Sequence, residues 1–507
     1  MRRLNGLVGV VVLVTAALCG GDCLAITDEE IFRAFEFNFA NPGARAVGLG
    51  GAFIAAADDA TAAQANPAAL HYLSRMEFFA EYRASQQKTT VFSSTSGSLT
   101  PFPAGLYLPY VNIQNVSAPQ DTSDISFLSF VYPFKVGKDT RLRLAFSRQV
   151  VLDVNTSLAD GGTTTNSTFA LPTFPSWTNP ATGQVEQYTV HDDVNGALDT
   201  RIIYYNFGFS SSITRDFSIG ATGTWATLDM KSNTTGTISD PRGLLDFVNP
   251  RSIGGNGTFP DVITGTAVDG TDSNFAYALG VHWHPDSVFP GGYSPIRFGV
   301  VYHRGADFAV DEIKTEGGVQ VGQPFSNVLK VPDRFGLGVS YEFGGGKTRP
   351  WLASLDVERI EYSDLLEGFN SGVNFFTNGT LPPDILQTDP NGKITYTVDD
   401  ATVFHFGLEY NNVSRGGWTQ AIRAGYYNDP DKRIRMTEFN SLNQEVNDLY
   451  LNVFSGGSSV NHYTVGFSVG RSPARGQSVT LQFAGDFSDV SNVYVGSLLW
   501  RFGKRGQ

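Results

Sequence analysis

The chain has 507 residues and a formal net charge of -13, which argues against binding to nucleic acid because phosphates select basic surfaces. Charged residues make up only 17% of the chain, aromatic residues make up 13%, and there are 55 glycines. This composition is unlike that of soluble domains, in which about 25% of residues are charged, and it suits a membrane barrel whose strands have one apolar and one polar face.

The first element is a signal peptide, predicted over residues 1–25. Arg2 and Arg3 precede an apolar stretch at 4–18, and small residues follow and end at Ala25. This order of a basic, an apolar and a small-residue region is typical of secretory signals. The two cysteines, Cys19 and Cys23, both lie in this segment. We therefore expect an exported mature protein without disulfides or thiolate metal sites.

Residues 26–75 do not alternate between apolar and polar side chains. They are interpreted as short helices over 52–57 and 60–65, joined by glycines that include Gly50 and Gly51. Asn66 is a favourable N-cap and Pro67 is favoured at the first helical position, so a further helix is predicted to begin there. Because small residues dominate, this segment is expected to pack inside the barrel that follows it, as a hatch.

From residue 76 onward the sequence repeats segments of about ten residues with alternating polarity, the pattern of transmembrane β-strands. In one of them Phe335, Leu337, Val339 and Tyr341 alternate with glycines and polar residues. About fourteen strands are predicted, an even number, at 76–84, 125–134, 140–153, 200–212, 217–230, 273–284, 295–304, 332–344, 350–362, 402–412, 419–428, 461–470, 477–488 and 493–502. The fold class is therefore an all-β, antiparallel transmembrane barrel over 76–502, followed by a periplasmic tail at 503–507.

The gaps between predicted strands alternate between long and short almost throughout. Outer-membrane barrels have long extracellular loops and short periplasmic turns, so this alternation predicts that both ends of the barrel domain face the periplasm. In the last strand Tyr494, Trp500 and Phe502 share one face, with aromatic residues near both ends where membrane interfaces are expected. The predicted location is the outer membrane of a Gram-negative bacterium.

Four motifs of the hatch resemble the N-terminal hatch of the FadL family of outer-membrane transporters. They are GARA at 43–46, GLGGAF at 48–53, ADDA at 57–60 and NPA at 66–68, and the segments 126–133 and 423–430 are similar to strands of that family. The same hatch signature also resembles outer-membrane carrier proteins of the type IX secretion system. The hatch residues singled out by the resemblance are Gly50, Gly51, Asp58, Asp59, Asn66, Pro67 and Ala68.

The resemblance to the FadL family implies passive transport of long-chain fatty acids or other hydrophobic compounds. It implies capture by the extracellular loops, a binding site in the lumen, and lateral release into membrane lipid through a kink in the third strand. In this sequence the alternation would point Arg148 into lipid. Either a bulge at Arg148 and Gln149 restores the pattern and bends the wall, or Arg148 has reached the polar interface.

Charged side chains are predicted on the inner face of the wall, where they either pair with each other or hold a substrate carboxylate. They are Arg141, Arg143, Arg297, Arg334, Glu342, Asp356, Glu358, Glu409, Arg423 and Arg501. The candidates for ligand contact are Arg141, Arg143, Arg334 and Arg423. This inner face is predicted to be polar, without an apolar core.

Two motifs that suggest other chemistry are given structural interpretations. The GxSxG pattern at 466–470 lies in an alternating strand, whereas a serine nucleophile needs a sharp strand-to-helix turn. His282 and His284 face the same way, but His303 lies near the opposite end of the next strand. No enzyme activity, metal or cofactor is predicted. The expected partners are hydrophobic small molecules and outer-membrane lipid; the alternative is a scaffold that binds a secreted protein.

Overall fold

A computed structural model shows the architecture of the chain. It describes residues 37–90, 117–136, 140–157, 165–169, 188–239, 262–289, 293–316, 319–320, 323–344, 349–367, 394–413, 417–433, 435–439, 456–471 and 477–503. The predicted signal peptide, the first residues of the predicted hatch and most of the predicted tail lie outside these ranges. Among the described residues, no helix has the length and apolar character needed to span a membrane.

Fourteen antiparallel strands form a closed barrel, as predicted. In the order in which they neighbour one another, the wall strands are β1 (Met76–Thr90), β2 (Ser117–Val136), β3 (Thr140–Ser157), β5 (Tyr188–Ser212), β6 (Phe217–Ser239), β7 (Val262–Trp283), β8 (Ile296–Arg304), β12 (Arg334–Phe343), β13 (Trp351–Ile360), β15 (Ala401–Val413), β16 (Trp418–Asp429), β18 (Val460–Arg471), β19 (Ser478–Phe487) and β20 (Ser491–Phe502). The barrel closes because β1 pairs with β20 from Met76–Phe502 to Gln87–Ser491.

Six shorter strands lie between the wall strands. They are β4 (Thr165–Phe169), β9 (Asp307–Glu316), β10 (Val319–Gln320), β11 (Phe325–Lys330), β14 (Ile394–Thr397) and β17 (Arg435–Phe439). Strand β4 pairs with β5, β9 pairs with β7, β10 and β11, and β14 pairs with β17. Strands β5, β6 and β7 are also longer than predicted, because their ladders continue through polar segments rich in Thr, Asn and Gly.

The two ends of the barrel differ, and we name them by their connections. The short-turn end carries the connections after β2, β5, β7, β12, β15 and β18, together with the start of β1 and the end of β20. The long-loop end carries the other connections. This distribution agrees with the predicted alternation of short and long gaps.

The outer face of the wall is an apolar belt. Phe275, Phe404, Phe467 and Phe483 are exposed on it, and their strand neighbours Ala276, Val403, Ser468 and Gln482 point inward and are buried. A closed barrel hides every strand edge, and its exposed apolar belt is the surface that lipid covers. This architecture is that of an outer-membrane β-barrel.

The described part of the hatch, Phe37–Arg75, lies inside the barrel. It begins with an extended segment, Phe37–Asn41, which we call the strap, and continues with α1 (Ala44–Gly48), α2 (Ala62–Ala65) and the 3-10 helix η1 (Pro67–Tyr72). The helix predicted at 52–57 is wrong: these residues form turns, and the Ile54 amide donates to Asp356 of the wall over 2.7 Å. A second 3-10 helix, η2 (Tyr362–Leu366), follows β13.

Candidate functional site

The hatch sits against wall positions that carry no side chain. Inward-facing glycines on neighbouring strands contact its backbone directly: a Cβ added to Gly220 would overlap the backbone of Pro67 and Ala68, and one added to Gly425 would overlap Gly50. A Cβ at Gly299 would stand 2.7 Å from the Ile54 carbonyl oxygen. The remaining members of this glycine lining are Gly280, Gly336, Gly338, Gly407 and Gly466. The glycines on the polar face of the sequence pattern therefore make room for the hatch.

Ion pairs fix the hatch to the wall. Arg45 of α1 contacts Glu409 of β15 at 2.9 Å, and Glu409 also pairs with Arg423 of the neighbouring strand β16. Asp58 pairs with Arg45 and, over 3.5 Å, with Arg297 of β8. Burial alone would raise the pKa of Asp58, but the positive charges of Arg45, Arg297 and Arg501 outweigh it and lower that pKa. Asp58 is thus held as a carboxylate.

The other hatch residues predicted from the sequence make internal contacts or contacts to the wall. The Asn66 side chain accepts from the Ala68 amide at 3.1 Å, as the N-cap of η1, and donates to the Val281 carbonyl of β7 at 3.1 Å. Asp59 accepts from the Thr61 amide at 3.0 Å. Gly50 and Gly51 have φ angles of 65° and 83°, in the left-handed region that glycine tolerates.

The lumen on the long-loop side of the hatch is apolar, which corrects the prediction of a uniformly polar inner face. Buried side chains from the wall, the strap and η2 form one cluster there. It comprises Phe37, Val151, Leu152, Val154, Leu198, Ile202, Tyr204, Ala226, Leu228, Met230, Ala276, Ala306, Phe308, Val310, Leu329, Val331, Ile360, Tyr362, Leu365, Val398, Ala401 and Val403. Segments such as 150–152 and 202–205 are apolar on both faces, and this was the missed signal.

A cavity of about 230 Å³ lies beside this apolar cluster, between the strap and the wall. Phe37, Phe39, Val150 and Val403 give it apolar surface, while Arg83 and Asp124 are among its polar lining residues. Arg83 is engaged with Glu81 at 3.1 Å and with the Asn38 side chain at 2.9 Å. The cavity can therefore take a small, largely apolar molecule, with polar groups along part of its wall.

The wall has a gap beside this cavity. The β2–β3 ladder runs from Val136–Thr140 only as far as Phe127–Gln149, although β2 continues to Ser117 and β3 continues to Ser157. On the far sides these extensions remain paired, β2 with β1 and β3 with β5. Residues 117–126 of β2 and 150–157 of β3 are thus not paired with each other, and Thr122, Asp124, Ser126, Val150 and Asp153 among them line the cavity.

Bulges in both strands cause the gap. The β3–β5 register shifts between Val150 and Leu152, and the β1–β2 register shifts between Glu81 and Arg83. The predicted bulge in the third strand therefore exists, but it lies at Val151 and not at Arg148 and Gln149. Gln149 is the last residue of β3 that pairs with β2, and its side chain is buried. The extra residue Val151 lies in the apolar cluster.

Side chains and the strap bridge the gap. Arg148 donates to the Ile125 carbonyl across it at 2.7 Å and lies 3.8 Å from Asp124. Arg201 of β5 pairs with the same Asp124. On the inner side, the backbone amide of Asn38 donates to the backbone carbonyl of Val151 at 2.7 Å. Arg148 thus contacts the unpaired part of β2, and a lateral opening at Arg148 and Gln149 stays a prediction.

The predicted ligand-contacting arginines are occupied by protein groups. Arg143 donates to the Leu73 carbonyl at 2.9 Å, Arg334 pairs with Glu358 at 2.9 Å, and Arg423 pairs with Glu409. Arg334 also donates to the Phe39 carbonyl of the strap at 3.0 Å. The side chain of Arg141 lies outside the described part of the chain. Contact of these arginines with a ligand stays a prediction.

The motifs that suggested other chemistry have clear positions. Ser468 lies in the continuous strand β18 and accepts from Arg423 at 3.1 Å, so the GxSxG segment has no strand-to-helix turn. His282 and His284 face the same way, and the ring of His71 from the hatch packs against both of them. Nδ1 of His71 also contacts the Ala68 carbonyl oxygen. The sequence placed no third histidine here because His71 comes from η1 and not from a neighbouring strand.

No protein-family model and no curated protein matches the sequence. Solved structures do match. The crystal structure of a Pseudomonas aeruginosa FadL homologue has a TM-score of 0.53 at 12% identity, with 92% of this chain and 99% of that chain covered. The chain has the FadL-type fold. The toluene transporter TbuX of Ralstonia pickettii has a TM-score of 0.46 at 14% identity, with 92% of this chain and all (100%) of that chain covered.

The similarity to this fold covers 92% of the chain, which includes both the hatch and the wall. At 12% identity the match extends to the fold and not to the substrate. The function of this chain must therefore be argued from its own residues: the apolar cluster, the cavity and the gap between β2 and β3.

Proposed function

We propose that this barrel carries hydrophobic small molecules passively through the outer membrane and releases them sideways into the lipid. The observation that carries the proposal is the unpaired stretch of β2 and β3, which borders the cavity next to the apolar cluster. Val150, at the edge of the gap, lines the cavity, and the neighbouring Val151 belongs to the apolar cluster. In this proposal a hydrophobic molecule leaves the cavity through the gap and does not pass the packed hatch.

The lining of the cavity favours uncharged or weakly polar substrates. Its basic residues Arg83 and Lys432 are already paired with Glu81 and Asp429, at 3.1 and 2.9 Å. Holding a carboxylate there would require breaking one of these pairs, which leaves an unpaired charge. Aromatic or other neutral hydrocarbons therefore fit the described lining better than a fatty-acid anion, which remains the second substrate class to be tested.

The hatch closes the direct path through the lumen. It is fixed by the glycine lining and by the ion pairs of Arg45 and Asp58. Moving it aside would uncover several buried charges at once, at a cost of several kcal/mol for each pair broken. The gap needs only a displacement of the strap and of side chains that are partly exposed, such as Arg148 and Arg201.

Two engineered disulfides separate the two routes. The Asn38 amide bonds to the Val151 carbonyl, and the Ala44 amide bonds to the Ser497 hydroxyl at 2.9 Å, so both pairs of Cα atoms lie within the reach of a disulfide, below about 7 Å. The N38C/V151C disulfide fixes the strap across the gap. The A44C/S497C disulfide fixes the hatch to β20 away from the gap.

Uptake of radiolabelled toluene and of a labelled fatty acid is then measured in cells that produce each variant, before and after reduction. We expect N38C/V151C to block uptake until it is reduced and A44C/S497C to leave uptake near the level of the unmodified protein. Blockage by both disulfides would mean that the hatch must move. Uptake no greater than in cells without the protein would contradict transport itself.

A further inference from the structure

Three histidines meet at the short-turn end of the hatch. His71 belongs to η1, His282 is the penultimate residue of β7, and His284 follows that strand. Their ring centroids lie 4.5 Å apart for His71 and His284, 5.2 Å for His71 and His282, and 5.9 Å for His282 and His284. All three are buried, and His282 is fully inaccessible. The cluster joins the hatch to the wall.

Two of these rings carry a buried nitrogen that has no partner. His71 Nδ1 lies 3.0 Å from both the Ala68 carbonyl oxygen and the Ser218 hydroxyl, and His282 Nε2 lies 3.1 Å from the Ala55 carbonyl oxygen. We assign the proton to the ring nitrogen that faces the carbonyl, so that the opposite nitrogen of the neutral ring has a free lone pair. These opposite atoms, His71 Nε2 and His282 Nδ1, meet no hydrogen-bond donor in the described part of the chain.

Unpartnered buried acceptors are uncommon, since each costs about 1–3 kcal/mol. Their arrangement here is the one found around metal ions: a ligating imidazole usually donates its other N–H to a carbonyl or carboxylate, which fixes the ring and leaves the lone pair for the metal. His284 adds a third imidazole, and its Nδ1 lies 3.3 Å from the carboxylate of Asp286. The rings do not yet converge on one point, since His71 and His284 are stacked with an angle of 6° between their planes. Imidazole nitrogens and a carboxylate suit zinc, copper and nickel.

We propose that His71, His282 and His284 bind one divalent transition-metal ion, with Asp286 beside them. Ligand nitrogens around a tetrahedral ion stand about 3.4 Å apart, since each bond is about 2.0–2.1 Å long. The rings must therefore approach one another on binding. His284 lies in the connection after β7, and rotation of its ring would replace its stacking on His71 and its contacts with Asp286 and Tyr72. The ion would tie the end of the hatch to β7.

The test uses the full-length, untagged protein in detergent, stripped with a chelator. Zn²⁺ binding is measured by calorimetry, and Co²⁺ is used as a spectroscopic probe of a tetrahedral site. We expect one ion per chain, with affinity reduced at least about tenfold in H71Q and in H284Q. His303 is also a buried histidine of the lumen but lies on β8 outside the cluster, so H303Q is the matched control and should bind normally.

A second readout is the resistance of the barrel to unfolding. Because a ligand that binds only the folded state stabilises it, Zn²⁺ should raise the unfolding temperature of the unmodified protein and of H303Q but not of H284Q. If H71Q does not fold, H284Q carries the test. The proposal is overturned if no stoichiometric binding occurs, or if H284Q binds Zn²⁺ as tightly as H303Q. It does not depend on the transport proposal.

Discussion

The two halves of the lumen are filled in opposite ways. Around the hatch the wall offers glycines and charged groups, and the hatch supplies backbone and small side chains that pack against them. On the long-loop side the wall itself turns apolar side chains inward, and a cavity of about 230 Å³ remains. The first half is close-packed and tied by directional bonds. The second is held by non-directional apolar contacts, which a hydrophobic ligand can replace.

This difference indicates which part of the lumen can move at a low cost in free energy. Displacing the hatch separates Arg45 from Glu409, Asp58 from Arg297, and the Ile54 amide from the Asp356 carboxylate. Displacing the strap removes Phe37 and Phe39 from the apolar cluster, where a hydrophobic ligand can replace them, and leaves the ion pairs of Arg45 and Asp58 intact. The predictions below test this contrast, starting with the change that should disturb the hatch most.

Replacing Glu409 by alanine should destabilise the hatch strongly. Glu409 neutralises both Arg45 and Arg423, and its removal leaves two buried arginines close together. Breaking a buried pair in this way costs about 3–5 kcal/mol. The measurement is the free energy of unfolding in urea in the presence of lipid vesicles. Arg359 pairs with Asp400 at the surface and is 48% exposed, so R359Q is the control and should change stability by less than about 1 kcal/mol.

Adding one methyl group to the glycine lining should have the next largest effect. G220A would place its Cβ against the backbone of Pro67 and Ala68, at a cost of about 1–3 kcal/mol for overpacking. Gly223 lies on the same strand with nothing within 4 Å of its Cβ position. G223A is therefore the matched control, and ion conductance of the reconstituted barrel should rise for G220A only. Equal conductance in both variants would show that the hatch does not rely on this close contact.

Acid should loosen the hatch through Asp58. Its pKa lies below the ordinary value of 3.8, so its ion pairs stabilise the folded state above that value and are lost as the pH falls through the lowered pKa. Conductance should stay constant from pH 8 to pH 5 and rise below pH 3.8. In D58N the conductance should already be raised at neutral pH and should depend less on acid. An identical acid response in D58N would assign the effect to other carboxylates.

Most of the wall could be predicted from the sequence because each strand must place alternate residues in lipid. The fourteen strands and the alternation of short and long connections follow from that constraint. The bulge at Val151 was misplaced by a few residues, since 150–152 is uniformly apolar and its register is set by pairing with Ile203 and Ile202. The helix expected at 52–57 failed because wall groups such as Asp356 bind its backbone instead.

The arrangement of the functional site could not be predicted to the same extent, because it depends on contacts between distant segments. His71 contacts His282, which lies 211 residues later in the sequence. Asn38 of the strap bonds to Val150 of β3, which lies 112 residues later. No local pattern encodes such pairs. The apolar cluster is encoded locally, in runs such as 150–152 and 202–205, but a run that is apolar on both faces does not reveal which side faces lipid.

The smallest expected effect on stability is at the strap, where it should coincide with a clear effect on transport. N38A removes the side-chain contacts to Arg83 and to the Val150 carbonyl but keeps the backbone bond to Val151. We expect stability within about 1 kcal/mol of the unmodified protein and toluene uptake raised a few-fold, because hydrogen bonds of this kind contribute about 0.5–1.5 kcal/mol each. Asn41 lies in the same strap but bonds to Gly51 of the hatch, at 3.0 Å. N41A should therefore leave uptake unchanged, and a similar rise in both variants would place the barrier to transport in the hatch and not in the gap.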